Sequence, residues 1–136
     1  MIKHKNYVAA VILGILLAIA SVVIIGFGAA LPVPSELLKS LMQVSGLLAF
    51  IAVDFFTVAI PLAVTFLIFA FISTHFFDKT DGKFYLLLLA PMLVSDAYHF
   101  LQTQPQLNII VPILPRYLLL AICFCYLVRN KKSVKV

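Results

Sequence analysis

Asp96 and Arg116 are the residues of this sequence whose types and positions most directly suggest chemistry. Each lies in a stretch that is otherwise apolar enough to cross a membrane, where an isolated charge is costly. Counting the helical rise from the expected cytoplasmic ends of their segments places both at a depth of about 18 Å. Two opposite charges at one depth on neighbouring helices predict a buried ion pair and a polar interior.

His99 extends this pair into a candidate ligand-binding site. It follows Asp96 by three residues, so the two side chains can meet on one helical face. A carboxylate, an imidazole and a guanidinium together could bind an anionic headgroup or relay a proton. Asp54 is a fourth candidate member of this cluster. The alternatives are structural: an Asp96–Arg116 pair that fixes the register of two helices, and an interfacial Asp54 that caps its own helix.

The sequence predicts no catalytic residue, metal ligand or cofactor that we can name. A small membrane enzyme, with His99 as acid and base and Asp96 as its orienting group, is a third functional hypothesis. Bis-histidine haem ligation is disfavoured because His75 and His99 differ by about 20 Å in depth. The sequence also contains no HExxH, CxxC or GxSxG motif.

The composition indicates the class of protein. Of the 136 residues, 64% are hydrophobic and 11% are charged, against about 45–50% and about 25% in soluble domains. A globule of this size could not bury so much apolar surface. We therefore expect an all-α integral membrane protein with a single transmembrane helical domain, residues 1–136. The net charge of +5 comes from basic residues at segment ends, which the positive-inside rule explains without nucleic acid as a partner.

Four transmembrane helices in an antiparallel bundle are the predicted architecture. The expected spans are about 7–30, 55–77, 84–103 and 109–128, and an amphipathic, interfacial helix is expected at about 36–53, before the second span. The stretch 37–77 is long enough for two spans, which would give five in total, but it has no turn signal near Asp54. Because Lys3 and Lys5 at one end and Arg129–Lys135 at the other should both face the cytoplasm, the number of spans should be even.

The helical repeat places polar residues on one stripe of each of the last three spans, and we expect these stripes to face one another. The stripes are Asp54, Thr57, Pro61, Thr65 and His75 on the second span, Tyr85, Met92, Asp96, His99 and Thr103 on the third, and Pro112, Arg116, Cys123 and Asn130 on the fourth. The first span has a stripe of small residues instead, Ala10, Gly14 and Ala18, which permits close approach of another helix.

The leading functional hypothesis is a small polytopic protein that binds a partner protein or subunit within the bilayer. It rests on a composition that suggests no catalysis, on the small-residue stripe and on the stretch 37–53, whose second half, 47–53, is too apolar for an ordinary surface helix. The alternative is a small transporter, or a binder of lipids or small molecules, that uses the polar cluster. The expected partners are the lipid bilayer and either another membrane protein or a second copy of this chain. Both termini are expected in the cytoplasm, and a bacterial inner membrane is the location we favour.

Overall fold

The computed structural model describes residues 2–28, 30, 33–77 and 80–133, without the side chains of residues 2–4 and 131–133. Within these ranges the chain is all-helical. The elements are α1 (Ile2–Gly28), α2 (Ser35–Val44), α3 (Gly46–Asp54), a π-helical turn (Phe55–Ala59), α4 (Ile60–Phe76), α5 (Gly82–Thr103), α6 (Leu107–Ile110), a 3₁₀ turn (Val111–Ile113) and α7 (Leu114–Ser133). The side chain of Lys3 and those of residues 131–135, which belong to the predicted basic ends, lie outside the described part of the chain.

Four helices in the described ranges are long and apolar enough to cross a membrane. They are Lys5–Gly28, Gly46–Phe76, Gly82–Thr103 and Leu107–Asn130, and we refer to them as the first to fourth long helices. The second consists of α3, the π-helical turn and α4. The fourth consists of α6, the 3₁₀ turn and most of α7. The segment 37–77, which is long enough for two spans, therefore contains one long helix, preceded by most of α2.

The boundaries around the second long helix differ from the predicted ones. This helix begins at Gly46 rather than near residue 55, and the amphipathic helix α2 ends at Val44 rather than near residue 53. Ser45 separates them in an extended conformation, with φ −166° and ψ 130°, and a Ser-Gly pair is a common turn signal. The apolar stretch 47–53 thus continues into the long helix, which explains why its composition does not suit a surface helix.

The core of the described chain forms mainly where α1 packs along α5. Gly14 permits this packing, because a Cβ atom there would lie 2.7 Å from the Leu88 carbonyl oxygen and 2.8 Å from the Pro91 ring. Ala10 and Leu17, one turn to either side, are fully buried. The close approach predicted for the small-residue stripe is confirmed at Gly14, and the approaching helix belongs to the same chain.

Helices α1 and α5 run in the same direction. The Tyr7 hydroxyl, near the start of α1, donates a hydrogen bond of 3.0 Å to the carboxylate of Asp81, which precedes α5. Gly14 and Leu88 then meet seven residues further along each chain segment. At the opposite end of α1, Gly28 lies against Val58 of the second long helix. We call this opposite end, defined by Gly28 and Val58, the distal end.

Candidate functional site

Asp54 is positioned by an irregular turn in the second long helix. It is the last residue of α3 and directly precedes the π-helical turn. In that turn the Ile60 amide donates to the Phe55 carbonyl oxygen, five residues back. Pro61 follows, and it has no amide hydrogen with which to continue the usual α-helical pattern. Single π-helical turns of this kind are frequently found at functional sites.

Arg116 is positioned by a second irregular turn. It lies in the first turn of α7, directly after the 3₁₀ turn at Val111–Ile113. Pro112 and Pro115 flank this point, and neither can donate a backbone hydrogen bond. The Arg116 side chain is 8% exposed, so more than nine-tenths of it is buried. A buried guanidinium requires a partner of opposite charge or several hydrogen bonds.

Asp54 is the partner of Arg116. The Nη2 atom of Arg116 donates to Oδ1 of Asp54 at 2.5 Å, and the Asp54 side chain is 17% exposed. The sequence predicts Asp96 as this partner, and the structure corrects that prediction. Asp96 instead accepts a hydrogen bond of 2.8 Å from the Tyr117 hydroxyl. Both carboxylates are therefore held by the fourth long helix, but by different residues.

Helix geometry explains why matched depth did not identify the right pair. By helical rise, Asp54, Asp96 and Arg116 lie about 12, 10 and 14 Å from the distal ends of their long helices, so depth does not distinguish the two carboxylates. The direction in which each side chain points around the helix axis does distinguish them. Consecutive residues on a helix point about 100° apart, and α7 directs Arg116 to the second long helix and Tyr117 to the third.

Two atoms of the ion pair have no hydrogen-bond partner among the described residues. They are Oδ2 of Asp54 and Nε of Arg116, and both are buried. Buried polar atoms in proteins are rarely left without a partner, and each such atom costs about 1–3 kcal/mol. The pair therefore retains one unsatisfied acceptor and one unsatisfied donor within the described part of the chain.

A pocket of about 490 Å³ borders this pair at the distal end. Its walls come from α1, from the second long helix and from the start of the fourth. Besides the pair itself, the lining includes Ile25, Phe50 and Asn108. The volume falls in the range of about 300–1,000 Å³ that small-molecule sites occupy, and an apolar wall with a few polar groups is typical of such sites.

Thr57 also lines the pocket, but its hydroxyl is already engaged. It donates to the Val53 carbonyl oxygen at 2.8 Å, within its own helix. Asn108 is the other lining residue with an uncharged polar side chain among the described residues, and it is exposed. The ion pair is therefore the main buried polar feature of the pocket wall.

Asp96 and His99 are not part of this pocket. Asp96 is half-buried and bound to Tyr117, whereas His99 is exposed, with its ring 6.2 Å from that of Tyr98. The predicted cluster of four residues therefore separates into the Asp54–Arg116 pair at the pocket and an Asp96–Tyr117 contact between the third and fourth long helices. Sequence reasoning missed Tyr117, although a tyrosine in an apolar helix usually needs a hydrogen-bond partner for its hydroxyl.

The described residues contain no group of three or more His, Cys, Asp or Glu side chains placed to hold a metal ion. Comparison with protein-family models, curated proteins and solved structures found no match.

Proposed function

We propose that this protein crosses the membrane four times and binds an amphipathic lipid or small molecule in the pocket beside Asp54 and Arg116. The four long helices alternate in direction in this proposal, and both termini lie in the cytoplasm. The distal end, and with it the pocket, then lies in the outer half of the bilayer. The supporting observation is the buried ion pair of Asp54 and Arg116, both of which line a pocket of about 490 Å³.

The unsatisfied atoms favour a binding role over a purely structural one. A pair that only fixed helix register would be expected to satisfy its remaining atoms with neighbouring side chains, since buried ion pairs are stable only when further hydrogen bonds compensate their desolvation. Among the described residues, Asp54 and Arg116 leave one acceptor and one donor without a partner. A ligand with a polar group and an apolar chain matches a pocket wall that combines this ion pair with apolar side chains.

Binding is favoured over catalysis because the expected acid and base lies elsewhere. The enzyme hypothesis requires His99 at the ligand, and His99 is exposed and outside this pocket. The guanidinium of Arg116 has hydrogen-bond donors and no acceptor. The pocket therefore has groups suited to holding a ligand, with no described histidine in its wall to transfer a proton.

Partner binding within the bilayer is a second candidate, favoured by the exposed sides of α2 and α3. Of these two helices only Ala49 is buried. Their exposed large apolar side chains are Leu37, Met42, Val44, Leu47, Leu48 and Phe50. The small-residue stripe no longer favours this candidate, because Gly14 packs against α5. Purification in a mild detergent separates the candidates: recovery of a monomer without any other chain contradicts partner binding and leaves ligand binding intact.

A single introduced tryptophan tests the ligand proposal directly. The chain contains no tryptophan, so an introduced one is the only indole signal. Phe50→Trp places the indole in the pocket wall, and Phe71→Trp places it on the same long helix but outside the pocket. Both positions are exposed to a similar degree, 61% and 66%. The two variants are therefore a matched pair.

The assay titrates an amphiphile with a brominated chain into nanodiscs that contain either variant. We expect saturable quenching of the fluorescence in Phe50→Trp and only gradual, non-saturable quenching in Phe71→Trp. An excess of the unbrominated amphiphile should reverse the quenching in Phe50→Trp. Equal, non-saturable quenching in both variants indicates partitioning into lipid alone and contradicts the proposal.

A further inference from the structure

We propose that α2 lies flat on the bilayer surface at the distal end and binds zwitterionic lipid there through apolar contacts alone. Its apolar side enters the lipid, and its polar side faces water. This role is separate from ligand binding and requires only that the chain crosses the membrane, which is part of the proposed function.

The side chains of α2 divide into two separate sides. At about 100° per residue, the apolar side chains fall within an arc of about 160°, and the polar ones fall within about 140° on the opposite side. The apolar side comprises Leu37, Leu38, Leu41, Met42 and Val44, and the polar side comprises Ser35, Glu36, Lys39, Ser40 and Gln43. A helix with this pattern is typical of the boundary between lipid headgroups and acyl chains.

The apolar side of α2 is left largely uncovered by the described part of the chain. No residue of α2 is buried there, and Leu37, Met42 and Val44 are all exposed. A contiguous apolar side of this kind is typical of a helix that contacts either a membrane or another protein.

The junction with the second long helix favours lipid as the occupant. That helix has 31 residues, so it is about 46 Å long, whereas a bilayer with its headgroup regions is about 40–45 Å thick. A helix of this length that crosses the bilayer reaches the headgroups at both ends, which places Gly46 at that level. The next two residues, Leu47 and Leu48, are exposed and apolar, so they face lipid. The same lipid extends beneath α2.

Ser45 allows α2 to turn away from the axis of the second long helix. Its φ of −166° and ψ of 130° are extended, so the helical path is interrupted there. A continuous helix would carry α2 up to about 15 Å beyond the headgroups and expose its apolar side to water. A helix that lies flat instead buries this side about 5–10 Å into the boundary between headgroups and acyl chains.

The charge of the polar side indicates the type of lipid. Glu36 and Lys39 are the two charged residues of α2, and their charges cancel. Attraction to anionic headgroups requires an excess of Lys or Arg, which α2 does not have. Zwitterionic lipid is therefore sufficient, because the buried apolar side holds the helix.

Single tryptophans measure the depth of α2, because the chain contains none of its own. The variants are Leu37→Trp and Val44→Trp on the apolar side, Gln43→Trp on the polar side, and Val64→Trp near the middle of the second long helix. All four positions are exposed, so the substitutions leave the packing intact. Each variant is placed in nanodiscs of zwitterionic phospholipid. The quenchers are phospholipids brominated at shallow or at deep acyl carbons, and iodide in the water.

We expect the two apolar-side tryptophans to lie at one depth. Leu37 and Val44 are seven residues apart, so they point to the same side and are separated by about 10 Å along the helix axis. Shallow bromines should quench both equally and more strongly than deep ones. Iodide should quench Gln43→Trp most, and deep bromines should quench Val64→Trp most. Replacement of part of the lipid by an anionic phospholipid should leave these patterns unchanged.

Depths that differ by about 10 Å between Leu37→Trp and Val44→Trp indicate a helix along the membrane normal and overturn the proposal. Iodide quenching of both without quenching by any brominated lipid also overturns it, because α2 then lies in water. Protection of both from all quenchers indicates a protein partner instead. Stronger quenching by brominated lipid after anionic lipid is added overturns the assignment to zwitterionic lipid. If deep bromines fail to quench Val64→Trp, the chain does not cross the membrane, and the proposed function fails as well.

Discussion

The assignment of Asp54 as the partner of Arg116 makes a quantitative prediction about unfolding. Removing one member of a buried ion pair costs about 3–5 kcal/mol, because the other charge is left uncompensated. The Asp54 side chain is 17% exposed and retains some solvation, so the lower end of this range applies. We expect Asp54→Asn and Arg116→Gln each to lower the free energy of unfolding by about 3 kcal/mol.

The double variant should cost little more than either single change. In Asp54→Asn/Arg116→Gln both charges are gone, and the two amides can still form a hydrogen bond. The double-mutant cycle should therefore give a coupling energy of about 2–3 kcal/mol, the upper part of the range for residues in direct contact. The measurement is the loss of helical circular dichroism during titration of detergent-solubilised protein with sodium dodecyl sulfate.

Two further cycles decide between the carboxylates. The cycle of Asp96→Asn with Arg116→Gln should give a coupling below about 1 kcal/mol, because these residues do not form an ion pair in the described structure. The cycle of Asp96→Asn with Tyr117→Phe should give about 1 kcal/mol, which is typical of a hydrogen bond. Coupling of Arg116 to Asp96 that matches its coupling to Asp54 would refute the pairing and the pocket built on it.

Three other predictions concern the helix contacts that hold this site in place. Gly14→Ala should destabilise the protein by about 1–3 kcal/mol through overpacking against α5. Gly26→Ala, on the same helix with nothing within 4 Å of the added Cβ, should be neutral or stabilising in the same unfolding titration. Asp81→Ala should cost about 1 kcal/mol, because the carboxylate accepts a capping hydrogen bond of 2.9 Å from the Phe84 amide; a melting temperature equal to that of the unmodified protein contradicts this. Partial burial raises the pKa of Asp81, but the hydrogen bonds from Phe84 and Tyr7 outweigh it and hold that pKa below the ordinary value of 3.8. The stability that the Tyr7 hydrogen bond contributes is therefore present above about pH 4 and lost as the pH falls through the lowered pKa of Asp81. The difference in unfolding between Tyr7→Phe and the unmodified protein should disappear at low pH, and a difference that grows on acidification contradicts this.

The sequence was sufficient to predict those features that depend on a single helix. Composition and apolar length indicate four long helices, and a repeat of small residues every four positions indicates where α1 is approached closely. Gly14 shows why this works, because the space for a neighbouring backbone depends on the absence of a Cβ atom. Similarly, rise per residue is sufficient to place Asp96 and Arg116 at one level, whereas Asp54 was expected at the boundary of its span and reaches that level only because the second long helix begins at Gly46.

Features that depend on the relative rotation of two helices could not be derived in this way. Nothing in the sequence fixes which side of α7 faces which neighbour, so the choice of Asp54 over Asp96 required the packed bundle. The break at Ser45 could have been predicted from the sequence, because a Ser-Gly pair is a turn signal. The continuous apolar pattern around it obscured the boundary. The π-helical turn is harder to predict from the sequence, since Pro61 permits such a turn without requiring it.

The two irregular turns connect the backbone to the proposed function. The π-helical turn follows Asp54 directly, and the 3₁₀ turn ends three residues before Arg116. Irregular backbone at membrane depth is tolerated only where protein buries it or where it lines a cavity, and residues of both turns line the pocket, among them Thr57 and Pro112. A pair of charges that served only to join two helices would be at least as well supported by regular helices on both sides. The coincidence of both turns, both charges and the pocket at one level therefore supports the proposed ligand site.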